Sequence, residues 1–134
     1  MKKDKEKKKK REKTARQAPI AAEKADLLAE TEASSRPLEY ALSLVGGKWK
    51  MRILWALRKE KNLRYGEIKQ QIPSITDMML SQSLRDLTDS GLVIRQQFQQ
   101  IPPKVEYRIT PKGQSLIPAL ERLYEWALQQ MKEA

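Results

Sequence analysis

From Pro37 onward the apolar residues recur at helical spacing, change to alternation, and then return to helical spacing. Leu38, Leu42 and Val45 mark a first helix, with Pro37 suited to its first turn and Glu39 to the positive end of its dipole. Gly46-Gly47 ends it. Trp49, Ile53, Ala56 and Leu57 stand at offsets of 0, 4, 7 and 8 and predict a second helix over about 49–58, its stripe widened by Leu54 and Trp55. A short apolar piece at 63–65 leads into a third helix over 65–71, with Ile68 and Ile72 inward and Pro73 as the stop. A longer helix follows over 76–90. Thr76 is its N-cap, Ile75 and Leu80 make a hydrophobic staple, and Asp77 sits where the dipole favours an anion. Leu80, Leu84 and Leu87 give it one core face, and Gly91 stops it.

Alternation then takes over. Val105, Tyr107 and Ile109 alternate with Glu106 and Arg108, as in a half-buried strand. The partner strand, 92–99, groups Leu92, Ile94 and Phe98 on one face and Val93, Arg95, Gln97 and Gln99 on the other. Pro102-Pro103 cannot donate to a ladder and belong to the connecting loop. Thr110-Pro111 begins a last helix that runs to about Met131, with a kink expected at Pro118. That helix carries two apolar stripes, Leu116, Leu120, Leu123, Ala127 and Ile117, Tyr124, Leu128, Met131. So wide an apolar arc on a small domain predicts sharing with a second chain.

Strand, helix, turn, helix and hairpin, in that order, predict a mainly α fold with a small β-hairpin: a winged helix-turn-helix. The domain is expected over 36–132. Before it, residues 17–35 form a bridge with a helix over 21–33, broken by Ser34-Ser35-Arg36-Pro37.

Charge sharpens the picture. The net charge is +10, yet residues 1–16 hold ten Lys/Arg against three Asp/Glu. The excess therefore lies mostly in an arm expected to be solvated and disordered, which adds non-specific attraction to phosphate. The chain has no Cys and no His, which removes thiol redox sensing, Cys or His zinc ligands, Cys nucleophiles and His general bases. No cofactor or metal is expected, and no enzyme. No apolar run approaches the length of a transmembrane helix, and no apolar segment follows the basic N-terminus as in a signal peptide. The expected setting is cytoplasmic and nucleoid-associated, with no membrane partner.

The exposed face of the 76–90 helix carries Met78, Ser81, Gln82 and Arg85. Gln pairs bidentately with adenine and Arg with guanine, and Met78 can touch a thymine methyl. The other reading of these side chains is a solvated helix face. Thr76 and the helix amides suit a phosphate, whereas Asp77 either caps the helix or accepts from cytosine. On the wing, Lys104 follows two prolines that hold its charge outward, and with Arg95 and Gln97 it is expected at the backbone or minor groove. Lys48, Lys50 and Arg64 are further phosphate candidates, or ordinary surface charge. Trp49, Trp55 and Trp126 read as core or interface rather than stacking platforms. Core packing likewise explains Tyr40, Trp49 and Trp55 better than a small-molecule pocket does.

Several of these segments resemble the HxlR-type winged-helix regulators. The resemblance begins at Pro37-Leu38-Glu39-Tyr40, Gly46-Gly47-Lys48-Trp49-Lys50 and Ile53-Leu54. It continues through Met79-Leu80-Ser81-Gln82-Ser83-Leu84-Arg85-Asp86-Leu87 and Gly91-Leu92-Val93. It is most specific at Pro102-Pro103-Lys104-Val105-Glu106-Tyr107, followed by Thr110 and Gly113, and it spans about 36–128. It implies a MarR-like dimeric transcription factor of prokaryotic type without enzymatic activity. The implied two-fold interface is made by the first and last domain helices, here with Leu38, Leu42, Ile117, Leu120, Tyr124, Leu128 and Met131. Many members place an oxidant-sensing Cys just before Pro-x-Glu-Tyr, where this chain has Arg36, so its effector is something other than a thiol reagent. Members often carry a polar or basic residue where Met78 stands.

The function expected is a dimeric, sequence-specific regulator binding double-stranded DNA. The alternatives are a low-specificity architectural DNA binder driven by the Lys-rich arm, and a protein–protein module that has lost DNA binding. The operator, the target genes and the sign of regulation are not written in the sequence.

Overall fold

The computed structural model describes residues 21–59 and 61–134. The expectation of a disordered arm over 1–16 lies outside the described residues. The chain divides between Glu39 and Tyr40.

The first described element is a helix, α1 (Ala21–Val45). It does not break at Ser34–Pro37 as the sequence predicts. The Ser34 and Ser35 hydroxyls donate to the Thr31 and Glu32 carbonyls at 3.1 Å each, so they are used inside the helix rather than as caps. Pro37 forfeits only its own bond to the carbonyl one turn back, within a stretch rich in Ala, Leu and Glu.

The second unit holds the rest. The helix α2 (Lys50–Leu57) turns Ile53, Leu54 and Leu57 fully inward. The strand β1 (Leu63–Arg64) runs directly into α3 (Tyr65–Gln71), where the Glu67 carboxylate accepts the Arg64 backbone N–H at 2.8 Å. The helix α4 (Asp77–Asp89) starts as expected: the Thr76 hydroxyl accepts the Met79 N–H at 3.1 Å, and Ile75 and Leu80 are both buried. Leu80, Leu84 and Leu87 form its inner face. Gly91 ends it with φ +78°, a left-handed conformation that suits glycine.

The hairpin is β2 (Val93–Phe98) and β3 (Lys104–Ile109), with Val93 opposite Ile109 and Phe98 opposite Lys104. It is joined at Ile101-Pro102, a cis peptide, and Ile101 is fully exposed. The strand β1 adds to β3, giving an antiparallel sheet in the order β1-β3-β2. The apolar grouping expected along 92–99 does not hold. Leu92 lies before the strand and is core, Val93 is buried, and Ile94 is exposed. Only the base of the hairpin meets the body, and from Ile94 to Gln97 β2 faces solvent as a wing.

The final helical region is two helices rather than one kinked helix. Thr110 caps the short α5 (Pro111–Gln114), and α6 (Ile117–Glu133) begins after Ser115 and Leu116. Pro118 therefore sits in the first turn of α6, where its missing N–H costs nothing. Ile117 and Leu120 enter the core. From Glu121 onward α6 is exposed, apart from a half-buried Ala127. Among the described residues no helix is long and apolar enough to cross a membrane.

Candidate nucleic-acid interface

Because Leu80, Leu84 and Leu87 anchor one face of α4, the opposite face is pushed outward. Met78 is 77% exposed, and Ser81, Gln82 and Arg85 are exposed with it. These are the four residues expected to read bases, and the structure sets them on one surface. Arg85 and Ser81 share a polar cleft of about 240 Å³ with Arg95 and Tyr107 from the hairpin. An arginine from the helix and one from the wing thus line the same opening, with Asp89 as its acidic member.

Asp77 does not cap its helix, since Thr76 does that. Its carboxylate instead accepts from Lys69 Nζ at 2.9 Å and lies 3.1 Å from the Tyr65 hydroxyl. Tyr65 also lies 3.1 Å from the Asp77 carbonyl and 3.4 Å from the Ser81 hydroxyl. Lys69 further donates to the Ile75 carbonyl at 3.4 Å. Together these contacts brace α3 against the start of α4. Hydrogen bonds from Lys69 and then Tyr65, with the Lys69 charge, hold the Asp77 carboxyl below the ordinary aspartate range. A lowered carboxyl stabilises the fold above that range and loses its contribution as pH falls through the lowered value. The brace is therefore complete at neutral pH. Sequence reasoning missed Tyr65 and Lys69; their only signal was an i, i+4 pair, both half-buried, at the border of the face that carries Ile68 and Ile72.

Lys50 is not a free phosphate contact. Its ammonium is 3.5 Å from Asp86 Oδ2 and its side chain is largely covered. Lys104 is not held outward either: it pairs with Glu106 at 3.3 Å and lies 4.6 Å from the centre of the Phe98 ring. The strand geometry at the wing's end explains this, since Glu106 lies two residues along the same strand and Phe98 is directly opposite Lys104. Lys48 is exposed, with its ammonium 4.8 Å from the centre of the Trp49 ring. Arg64 is exposed beside α3, and Arg95 donates to Gln97 at 3.5 Å along β2. Arg108, opposite Ile94, is a further exposed wing cation that the alternation of β3 marks only as outward.

The expected dimer residues separate into two groups. Leu38, Leu42, Tyr124, Leu128 and Met131 are exposed. Ile117 and Leu120 are not available, because the first turn of α6 carries them into the core of the single chain. Trp126 is exposed on the same helix, whereas Trp49 and Trp55 pack against the core. Trp55 stacks on Tyr124 with ring centres 5.1 Å apart, beside an open apolar cleft of about 400 Å³ that Trp49 and Tyr40 do not line.

A buried-backed helix set beside an exposed basic hairpin defines a winged helix-turn-helix DNA-binding module. Residues 44–134 match the HxlR-like helix-turn-helix family, and the chain belongs to it. Over 94 residues it is 48% identical to the uncharacterized HTH-type transcriptional regulator YdzF of Bacillus subtilis (strain 168), covering 70% of this chain and 86% of that one. The solved oxidized form of the redox regulator HypR overlays with a TM-score of 0.66 at 38% identity, over 69% of this chain and 95% of HypR. The reduced form of the transcriptional regulator YodB from B. subtilis gives a TM-score of 0.61 at 34% identity, over 69% of this chain and 90% of YodB. The chain is a transcriptional regulator with a helix-turn-helix DNA-binding domain, in a family of regulators rather than enzymes.

Proposed function

We propose that the protein is a homodimeric, sequence-specific regulator that places α4 in the major groove of double-stranded DNA. The wing then lies on the flanking backbone or in the minor groove. One observation carries this reading: the exposed face of α4 holds Met78, Ser81, Gln82 and Arg85 next to a cleft that Arg95 enters from the wing. Arg85 is the strongest base reader among them, because guanidinium pairs bidentately with guanine. Thr76, Lys48, Arg64, Arg95 and Gln97 serve the backbone. Lys104 and Lys50, each held by a carboxylate, contribute less.

The dimer reading rests on α6. Tyr124, Trp126, Leu128 and Met131 expose large apolar surface on one helix, which a second copy would cover. A two-fold dimer presents its reading helices to half-sites about one helical turn apart. Residues 36–132 are the regulatory domain in this reading, and residues 1–16 add salt-sensitive attraction to any phosphate chain.

The uneven charge supports a second reading, in which the arm dominates and sequence preference is slight. Selection of bound sequences from a random duplex pool, with and without residues 1–16, separates the two. The first reading predicts a symmetric site recovered from both proteins. Loss of all enrichment on removing the arm favours the second.

A further inference from the structure

We infer that Asp86 is a specificity-determining positioning residue, which through Gln82 fixes the direction in which Arg85 meets a base. The assignment rests on α4 being the DNA-reading helix. It starts from three linked contacts. Lys50 Nζ lies 3.5 Å from Asp86 Oδ2. Asp86 Oδ1 accepts from Gln82 Nε2 at 2.9 Å. Gln82 Oε1 accepts from Arg85 Nη1 at 3.0 Å.

The chemistry of the amide makes these contacts directional. A glutamine side chain has donors at one end and an acceptor at the other. With the amino end on the Asp86 carboxylate, the carbonyl end must face Arg85. The opposite orientation would set an amino group against a guanidinium and an oxygen against a carboxylate. Asp86 therefore selects the Gln82 orientation, and Gln82 selects that of Arg85. One of the five guanidinium donors is engaged in this way, which leaves the rest of the fork for a base edge.

Two further points favour the relay. Asp86 sits on a helix flanked by exposed cations, where a bare carboxylate would repel phosphate, and Lys50 neutralises it. Its side chain is 39% exposed and that of Lys50 is 21% exposed, so the pair is less screened than two surface charges would be. Gln82, with both ends of its amide engaged, acts as a buttress for Arg85 rather than as an independent adenine reader.

The test uses the full chain and two readouts. Without DNA, nitrogen relaxation is expected to find the Arg85 Nε–H ordered on the nanosecond scale in the parent and mobile in Asp86→Ala. With DNA, Arg85→Ala first identifies the base position whose preference it flattens. Asp86→Ala is then expected to reduce preference at that same position about tenfold, the scale of one bidentate pair. Its affinity for random duplex should equal or exceed that of the parent, because a negative charge has gone. Asp86→Asn keeps an acceptor oxygen and should hold the preference within about threefold of the parent. Asp86→Leu, near in size and a better helix former, serves if the alanine variant does not fold. Unchanged Arg85 mobility, or full preference retained in Asp86→Ala, overturns the relay and leaves the DNA reading intact. A parent chain that shows no base preference at all sinks that reading, and the assignment with it.

Discussion

Thr110 joins three pieces of backbone through one residue. Its hydroxyl donates to the Gly91 carbonyl at 2.7 Å and accepts the Gly113 N–H at 3.0 Å, while its own N–H donates to the Leu92 carbonyl at 3.0 Å. The turn after α4, the end of β3 and the start of α5 are thereby fixed together at the base of the wing. Gly113 completes the joint by close approach. A Cβ there would lie 2.7 Å from Ile109 Cγ1 and closer still to the Leu92 carbonyl oxygen, which as backbone cannot swing away. Gly113→Ala should therefore destabilise the domain by about 1–3 kcal/mol, the usual scale for overpacking. Urea unfolding measures it, and an unchanged midpoint would show that the joint has slack. Thr110 as a cap was legible because Thr-Pro is a helix-start signal. Its bond back to Gly91, 19 residues away, was not, because no local pattern encodes a contact at that range. The same limit hid the partners of Asp77, Lys50 and Lys104. Side-chain charge is visible in a sequence, but which opposite charge the fold delivers to it is not.

Elements were legible where local chemistry and burial agree. In α4, a capping threonine, a staple and a 0, 4, 7 leucine face all pointed to one helix, and it formed with those ends. In α1, breaker residues suggested an end that helix propensity and internal hydroxyl bonds overrode. In α6, each of the two apolar stripes is buried at its start and exposed beyond it. Ile117 and Leu120 pack inward at the first turn, while Trp126, Leu128 and Met131 are exposed and the half-exposed Tyr124 stacks on Trp55. A helical wheel cannot distinguish these, because the division runs along the axis rather than around it. The exposed portion is the proposed two-fold interface. Leu128→Glu should raise the dimer dissociation constant by at least about a hundredfold. Each buried leucine contributes about 1.5–3 kcal/mol, and a two-fold interface loses it twice. Sedimentation equilibrium reads the change, and an unaltered mass would remove α6 from the interface.

Across the whole molecule, charge and shape have separate tasks. The first 16 residues, outside the stretch that the family match covers, carry a net +7 at high density, and residues 17–35 carry a net −3. The winged domain over 36–132 holds 16 Lys/Arg against nine Asp/Glu, a net +7 that equals the arm's, but several of its cations near α4 and the wing are spent on carboxylates. Affinity for any duplex is therefore expected to come from the arm and the domain together, and choice among duplexes from α4. The most direct measurement compares Arg85→Ala with the parent on the selected site and on random duplex, at one salt concentration. The account predicts a loss of about ten- to a hundredfold on the selected site, matching about 1–3 kcal/mol for one bidentate pair, and less than about threefold on random duplex. Equal losses on both would contradict it.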